Sequence, residues 1–261
     1  MNFDRIRLVS TDFDGTLWDE NGVPPVGAEV LKLIGDLQTS GAGWVINTGR
    51  SLDYMIEGIE ASRMETFPDY VVICEREVYR RVGSGYQEWE EFEDWNQKCG
   101  EVHHVLFQHA QEILEKLGTF VRELTGTQMI FEKFMTAELI TGTEGQMEQV
   151  VEFVEEHRTH LPELAYQRHG IYLRFCHQDY HKGTALKGLQ EYLGIKVENT
   201  FTVGDNHNDA GMLRKEYAGM IACPANAIPE IKQLVLGEGG IVTEQRMSAG
   251  VVEALKHYLG A

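Results

Sequence analysis

Apolar residues in this chain fall into short runs that alternate with stretches of helical spacing. Ile6, Leu8 and Val9 form the first run, which leads into Thr11-Asp12-Phe13-Asp14 and is turned away by Gly15-Thr16. Such a run predicts a short buried strand. In Glu29-Val-Leu-Lys-Leu-Ile-Gly-Asp-Leu37 the apolar positions recur at helical spacing. Gly41-Ala-Gly43 turns into a second apolar strand, Trp44-Val-Ile-Asn47. A helix from Ser51 and a third strand, Tyr70-Val-Val-Ile-Cys74, follow. Strands alternating with helices in this order predict a parallel, doubly wound α/β sheet. The Gly41–Gly43 pair precedes its strand, so it is not a dinucleotide-binding loop.

The pattern changes near Gly83-Ser-Gly85. A helix over 101–118, strand-like runs Gln128–Phe134 and Ala137–Thr141, a helix over 145–160, and runs Glu163–Gln167 and Ile171–Cys176 come next. That order, αββαββ, predicts a small antiparallel sheet with helices on one face. The α/β alternation returns with a helix over Lys182–Leu193, a strand Thr200–Val203, a helix from 208, a strand Gly219–Ala222, a helix over 229–236 and a strand Gly240–Thr243. The expectation is a Rossmann-like α/β core built from 1–82 and 178–261, interrupted by an inserted α+β domain over 83–177.

With 261 residues, 43% of them hydrophobic and 25% charged, the composition is that of a globular chain. The formal charge of −18 argues against nucleic-acid binding, which needs a basic footprint. It also disfavours capture of an anionic substrate unless the site supplies its own cations. The acidic stretches Glu88–Glu93 and Glu148–Glu156 read as solvated faces. No apolar run approaches the roughly 20 residues of a membrane span, and Met1-Asn-Phe-Asp-Arg-Ile-Arg7 lacks the apolar core of a secretory signal. Cys74, Cys99, Cys176 and Cys223 are scattered, which suits thiols in a reducing cytoplasm. Nothing in the pattern sets an oligomeric state.

Candidate chemistry sits where apolar strands end. Asp12 and Asp14 are two apart, so on a continuing strand they would face the same way, at the carboxyl end where open α/β sheets bind ligands. Two carboxylates this close call for a divalent metal, for a nucleophile beside a general acid, or for both. A calcium loop is disfavoured, since its sixth position would be Leu17 and a strand precedes it. Val45-Ile-Asn-Thr-Gly-Arg50 ends the second strand with a hydroxyl, a glycine and a cation. Thr48 and the N–H groups of that turn suit a phosphate oxygen, and equally a helix N-cap. Lys182 opens a helix, where the dipole disfavours a cation unless an anionic site compensates it. In Val203-Gly-Asp-Asn-His-Asn-Asp-Ala-Gly-Met-Leu213, Asp205, Asn206, Asn208 and Asp209 cluster after another strand. A calcium loop starting at Asp205 would have Ala210 where glycine is required.

Taken in order, these motifs resemble those of the haloacid dehalogenase superfamily of aspartate-nucleophile phosphotransferases. Asp12-Phe-Asp-Gly-Thr-Leu17 is similar to its first motif, Thr48-Gly-Arg50 to its second, Lys182-Gly183 to its third and Gly204-Asp-Asn-His-Asn-Asp209 to its fourth. Asn226-Ala-Ile-Pro-Glu-Ile-Lys232, Val242-Thr243 and Gly250-Val-Val-Glu-Ala-Leu255 resemble the Cof-type branch, whose α/β cap the insertion would be. The resemblance implies a phosphatase acting on a small phosphorylated metabolite, with sugar phosphates favoured and Mg²⁺ as cofactor. Asp12 would be nucleophile and Asp14 general acid and base. The metal would be held by the Asp12 carboxylate, the Asp14 carbonyl and Asp205. Thr48, Gly49, Arg50, Lys182 and Asn208 would bind the phosphoryl group, and Asp209 would support Lys182 or a metal-bound water. The branch has Asn-Gly after the third strand where this chain reads Cys74-Glu-Arg-Glu-Val78, so no substrate contact is carried over there.

A phosphomutase shares both aspartates and is the alternative. A dehalogenase dispenses with the second aspartate, and a non-catalytic metal- or phospholigand-binding regulator would not need every polar position filled. His103, His104, Arg122, Lys133, Arg168, His169 and Arg174 are the inserted domain's candidates for substrate selection, although each also reads as a solvated surface residue. His177 and His181 lie near Lys182 in sequence but do not by themselves make a metal site.

Overall fold

A computed structural model describes residues 1–125, 130–132 and 136–260. The chain divides into two compact units, Met1–Glu93 with Lys182–Ala261, and Asp94–His181. In chain order the elements begin with β1 (Leu8–Thr11), α1 (Ala28–Thr39), β2 (Gly43–Asn47), α2 (Leu52–Ser62), β3 (Tyr70–Ile73), β4 (Glu77–Arg81) and β5 (Trp89–Glu91). Next come α3 (Glu93–His109), α4 (Gln111–Thr125), β6 (Ile130–Glu132), β7 (Thr136–Ile140), α5 (Glu144–His157), β8 (Leu164–His169) and β9 (Tyr172–His177). The chain then returns to the first unit through α6 (Lys182–Leu193), β10 (Thr200–Val203), β11 (Met220–Cys223), α7 (Pro229–Gly237), β12 (Ile241–Val242) and α8 (Met247–Leu259).

The described strands of the first unit form one sheet in the order β12-β11-β10-β1-β2-β3-β4-β5. β12 through β3 run parallel, and β4 and β5 are antiparallel. From β1 the chain winds one way through β2 and β3, then returns on the other side through β10, β11 and β12. Strand order therefore reverses between β1 and β10, and the crevice at their carboxyl ends is where such sheets take ligands. β1, β10 and β11 are buried along their whole length, as central strands covered on both faces must be. Ile34 and Leu37 of α1, Trp44, Phe201 and Leu255 belong to the core cluster. The indole Nε1 of Trp44 donates to Thr11 Oγ1 at 3.1 Å, which pairs two buried polar groups within this core.

Several expectations need correcting. The first unit runs to Glu93 rather than residue 82, because Glu77-Val-Tyr-Arg-Arg81 folds back on β3 with Tyr70 opposite Arg80, and β5 pairs with β4 in turn. It resumes at Lys182 rather than 178, since Gln178 N–H donates to Glu163 O and Tyr180 N–H to His177 O within the second unit. The expected helix from 208 is a single 3-10 turn, His207–Asp209. Asp and Asn side chains there bond the local backbone, which competes with helix propagation.

The second unit is an antiparallel sheet, β6-β7-β9-β8, among the described residues. Phe107, Leu114, Leu117, Ala137, Leu139, Val150, Leu173 and Phe175 make its core. Its helical part starts at Glu93 instead of 101, the polar stretch Glu93-Asp-Trp-Asn-Gln-Lys98 having concealed the first turns. Two helices thus precede the first hairpin. Of the expected strand Gln128–Phe134, Ile130–Glu132 is strand, and the rest, with Lys133, lies outside the described residues. None of the four cysteines forms a disulfide. No helix among the described residues is long and apolar enough to cross a membrane.

Candidate active site

β1 ends at Thr11, and Asp12 is the first residue past it, with its N–H still donating to Val203 O of β10 at 2.9 Å. Asp12 is only 4% exposed. Into this place α6 brings Lys182, which is fully buried. Its Nζ donates to Asp12 Oδ1 at 2.7 Å and to Asp209 Oδ1 at 2.6 Å. Asn47, the last residue of β2, donates from Nδ2 to Lys182 O at 3.0 Å and pins the helix start to the sheet. A cation at a helix N-terminus is disfavoured by the dipole, and here two carboxylates compensate it.

The turn after β10 is built around Asp209. Its Oδ2 accepts the N–H groups of Asp205 (2.8 Å) and Asn206 (2.9 Å), while Oδ1 holds Lys182. A Cβ on Gly204 would lie 2.4 Å from Asp209 Cγ, so the turn has to begin with glycine. Asp205 follows, with Oδ1 accepting from Thr16 Oγ1 at 2.9 Å. Thr16 is a buried contributor that the sequence did not single out.

Burial and the Asp209 charge push the Asp12 carboxyl well above the ordinary carboxylate range, against the pull of Lys182. Asp205 is pushed up to about 7 by burial and by Asp209, with the Thr16 hydroxyl opposing. Burial alone would lower Lys182, but the carboxylates of Asp12 and Asp209 outweigh it and hold the ammonium above its ordinary value. One lysine thus faces more negative charge than it neutralises. Asp12, Asp205 and Asp209 each offer an oxygen within 4.8 Å of the others. Asp209 has spent both oxygens on Lys182 and the backbone, which leaves Asp12 and Asp205 as the side-chain donors. Asn47 Oδ1 and Asn208 Oδ1 are also buried without a partner among the described residues. This excess of hard oxygen donors fits a divalent cation.

Asp14 does not continue the strand that leads to Asp12. The strand stops at Thr11, so the two-residue alternation no longer applies. Asp14 instead takes a two-pronged bond from Arg50, Nε to Oδ2 at 2.8 Å and Nη2 to Oδ1 at 2.5 Å. The Arg50 guanidinium stacks over Phe13 (4.8 Å) and Trp18 (5.4 Å), and Nη1 donates to Tyr54 O. Arg50, expected on a phosphate, therefore holds Asp14. Thr48 is buried at the end of β2, its N–H donating to Val72 O and its Oγ1 accepting from Arg50 N at 3.2 Å. Gly49 packs against Glu75, since a Cβ there would lie 3.1 Å from Glu75 Oε1. Asn208 Nδ2 donates to the same oxygen at 2.9 Å. Glu75 is thus a buried member of the site that sequence reasoning missed. Its one signal was an acid at the end of an apolar strand.

Several of the second unit's candidates have partners of their own. His103 is buried between Cys99 O (2.7 Å) and His177 N–H (3.0 Å). Arg174 pairs with Glu138 at 2.9 Å, and Arg168 donates to Gly170 O. His104 contacts Gln108, Arg122 is exposed and His169 half-buried. His177 Nδ1 accepts from Asp179 N–H at 3.2 Å.

Comparison with known proteins gives a consistent result. The family model for haloacid dehalogenase-like hydrolases matches residues 93–255. A protein of Streptococcus pyogenes that carries a provisional phosphatase name is 24% identical, with 97% of this chain and 98% of the relative covered. A phosphoglycolate phosphatase of Metallosphaera sedula is 22% identical over 95% of this chain and 96% of its own length. Among solved structures, the sucrose-phosphatase of Synechocystis, in complex with sucrose and phosphate, superposes with a TM-score of 0.70 at 18% identity. That alignment covers 99% of this chain and 98% of the other, and it shows a shared fold.

Proposed function

The chain belongs to the haloacid dehalogenase-like hydrolases, and from that membership we propose that it is a Mg²⁺-dependent phosphatase of small phosphorylated metabolites, working through an aspartyl-phosphate. The observation that carries this reading is Asp12, buried at the β1/β10 switch point and bonded to Lys182 at 2.7 Å. Full-length relatives named as phosphatases support it.

Asp12 and Asp205 would hold the ion through carboxylate oxygens, and Asp14 through its carbonyl. When bound, a divalent cation supplies positive charge that keeps Asp12 ionised and offsets the phosphate. Asp12 attacks phosphorus as the ester P–O bond breaks, and the phosphoryl group passes to its carboxylate. Lys182 balances the charge shared between Asp12 and the transferring group. Thr48 and Asn208 would donate to phosphoryl oxygens. Asp14 delivers a proton to the leaving oxygen and then takes one from the water that attacks the aspartyl-phosphate. Arg50 holds Asp14 as a carboxylate, so Asp14 has to leave that pair and take up a proton before it acts as the acid.

Sugar phosphates are the favoured substrates, in line with the sucrose-phosphatase fold. The test is phosphate release from p-nitrophenyl phosphate and a hexose phosphate, with Mg²⁺ and with a chelator. Asp12→Asn should remove turnover, by more than a thousandfold, while leaving the melting curve cooperative. Full Mg²⁺-dependent turnover by that variant would sink the nucleophile assignment. Isomerised sugar phosphate in place of free phosphate would favour a mutase.

A further inference from the structure

β3 and β4 are joined by a turn of unusual composition. Arg76 N–H donates to Ile73 O at 3.0 Å, and both residues between them have positive φ, Cys74 at 48° and Glu75 at 66°. Two successive positive φ values mark a type I′ turn, which strongly prefers Asn-Gly, Asp-Gly or Gly-Gly. Cys and Glu are poor choices on backbone grounds, and a side chain kept in such a conformation points to a role at the site.

The turn delivers Glu75 to the phosphoryl-binding loops. The residue is 5% exposed. Its Oε1 takes the Asn208 amide at 2.9 Å and lies against the Thr48-Gly49 turn. Its charge also acts on Lys182. No step above uses this carboxylate. A buried acid beside a phosphate site accepts hydrogen bonds from neighbouring hydroxyls and repels a second anion.

We infer that Glu75 is a specificity-determining residue, which favours phosphate monoesters bearing a hydroxyl close to the ester oxygen and rejects those bearing a carboxylate there. The inference deepens the phosphatase reading and rests on it. Two unit charges a few ångströms apart in a partly shielded site change binding by roughly tenfold or more. The Metallosphaera relative, by its name, acts on phosphoglycolate, and by this argument the present chain discriminates against that ligand.

The matched probes are 2-hydroxyethyl phosphate and phosphoglycolate, which differ by a CH₂OH against a carboxylate. With the Mg²⁺-loaded protein, kcat/KM should favour 2-hydroxyethyl phosphate by at least tenfold. Glu75→Gln keeps an oxygen for Asn208 and loses the charge, so it should reduce that preference by roughly tenfold, chiefly through the KM of phosphoglycolate. Glu75→Ala loses both. A preference unchanged within twofold in Glu75→Gln, or a wild-type protein that favours phosphoglycolate, overturns the inference. Equilibrium binding of the two probes to wild type and Glu75→Gln is measured alongside. Absence of turnover with the charge-dependent binding preference intact would count against the phosphatase reading alone. Equal effects on both probes would reduce Glu75 to holding Asn208 and would overturn the inference.

Discussion

Lys182 carries the electrostatic balance of the site. Desolvating an ammonium is costly, and breaking a buried ion pair by removing one member costs about 3–5 kcal/mol. Lys182 tolerates burial because Asp12 and Asp209 lie 2.7 and 2.6 Å away. Asp205 is pushed up to about 7 by burial and the Asp209 charge, which outweigh the Thr16 hydroxyl and the Lys182 charge that oppose them. In an unfolded chain an aspartate titrates at about 4. Between about pH 4 and pH 7 the folded protein therefore binds more protons at this residue than the unfolded one, so metal-free stability falls as pH rises across that window and levels off above it. The expected outcome is a melting temperature several degrees lower at pH 7.5 than at pH 5 without metal, with a smaller slope in Asp205→Asn. A divalent cation binds the ionised form and should restore the loss at pH 7.5. Identical slopes in the two proteins would show that Asp205 is not the group responsible.

At the scale of elements, the site is made of strand ends and the turns that follow them. β1, β2, β3 and β10 each stop at the same edge of the sheet and deliver Asp12, Thr48, Glu75 and Asp205 from their turns. Hydrophobic periodicity locates the strands well, because burial on both faces leaves continuous apolar runs. It missed β4 and β5, whose alternation in Glu77-Val-Tyr-Arg-Arg81 is masked by arginines that bond at the sheet edge, Arg81 to Pro68 O and Arg80 to Glu90. The Cys74–Glu75 turn has a consequence for stability. An L-residue in left-handed geometry costs roughly 1–2 kcal/mol, and asparagine less. Cys74→Asn should therefore stabilise the protein by about 0.5–1 kcal/mol, read as a higher urea midpoint with an unchanged slope. A lower midpoint would mean that the Cys74 side chain contributes more packing than its backbone conformation loses.

For the whole molecule, the formal charge of −18 sets a field that opposes an anionic substrate. Lys182 and a bound cation act locally, whereas the surface charge acts over distances that salt screens, with a Debye length of about 10 Å at 0.1 M. Raising ionic strength from about 10 to 150 mM with a weakly coordinating salt should increase kcat/KM for a phosphate monoester, mostly through KM. A decrease would indicate that local positive charge dominates capture.

The sequence by itself determined the parallel strands of the first unit with α1, α2, α6 and α7 between them, the positions of their polar ends and the class of chemistry these suit. These are local properties, since burial period and turn composition are written over a few residues. The tertiary structure alone decided which side chains meet. Lys182 reaches Asp12 across 170 positions of chain. Asp14 turns to Arg50 because its backbone has left the strand. Glu75 enters the site only because two residues adopt positive φ. Side-chain direction at a turn follows from backbone dihedrals and long-range packing, which residue spacing does not encode.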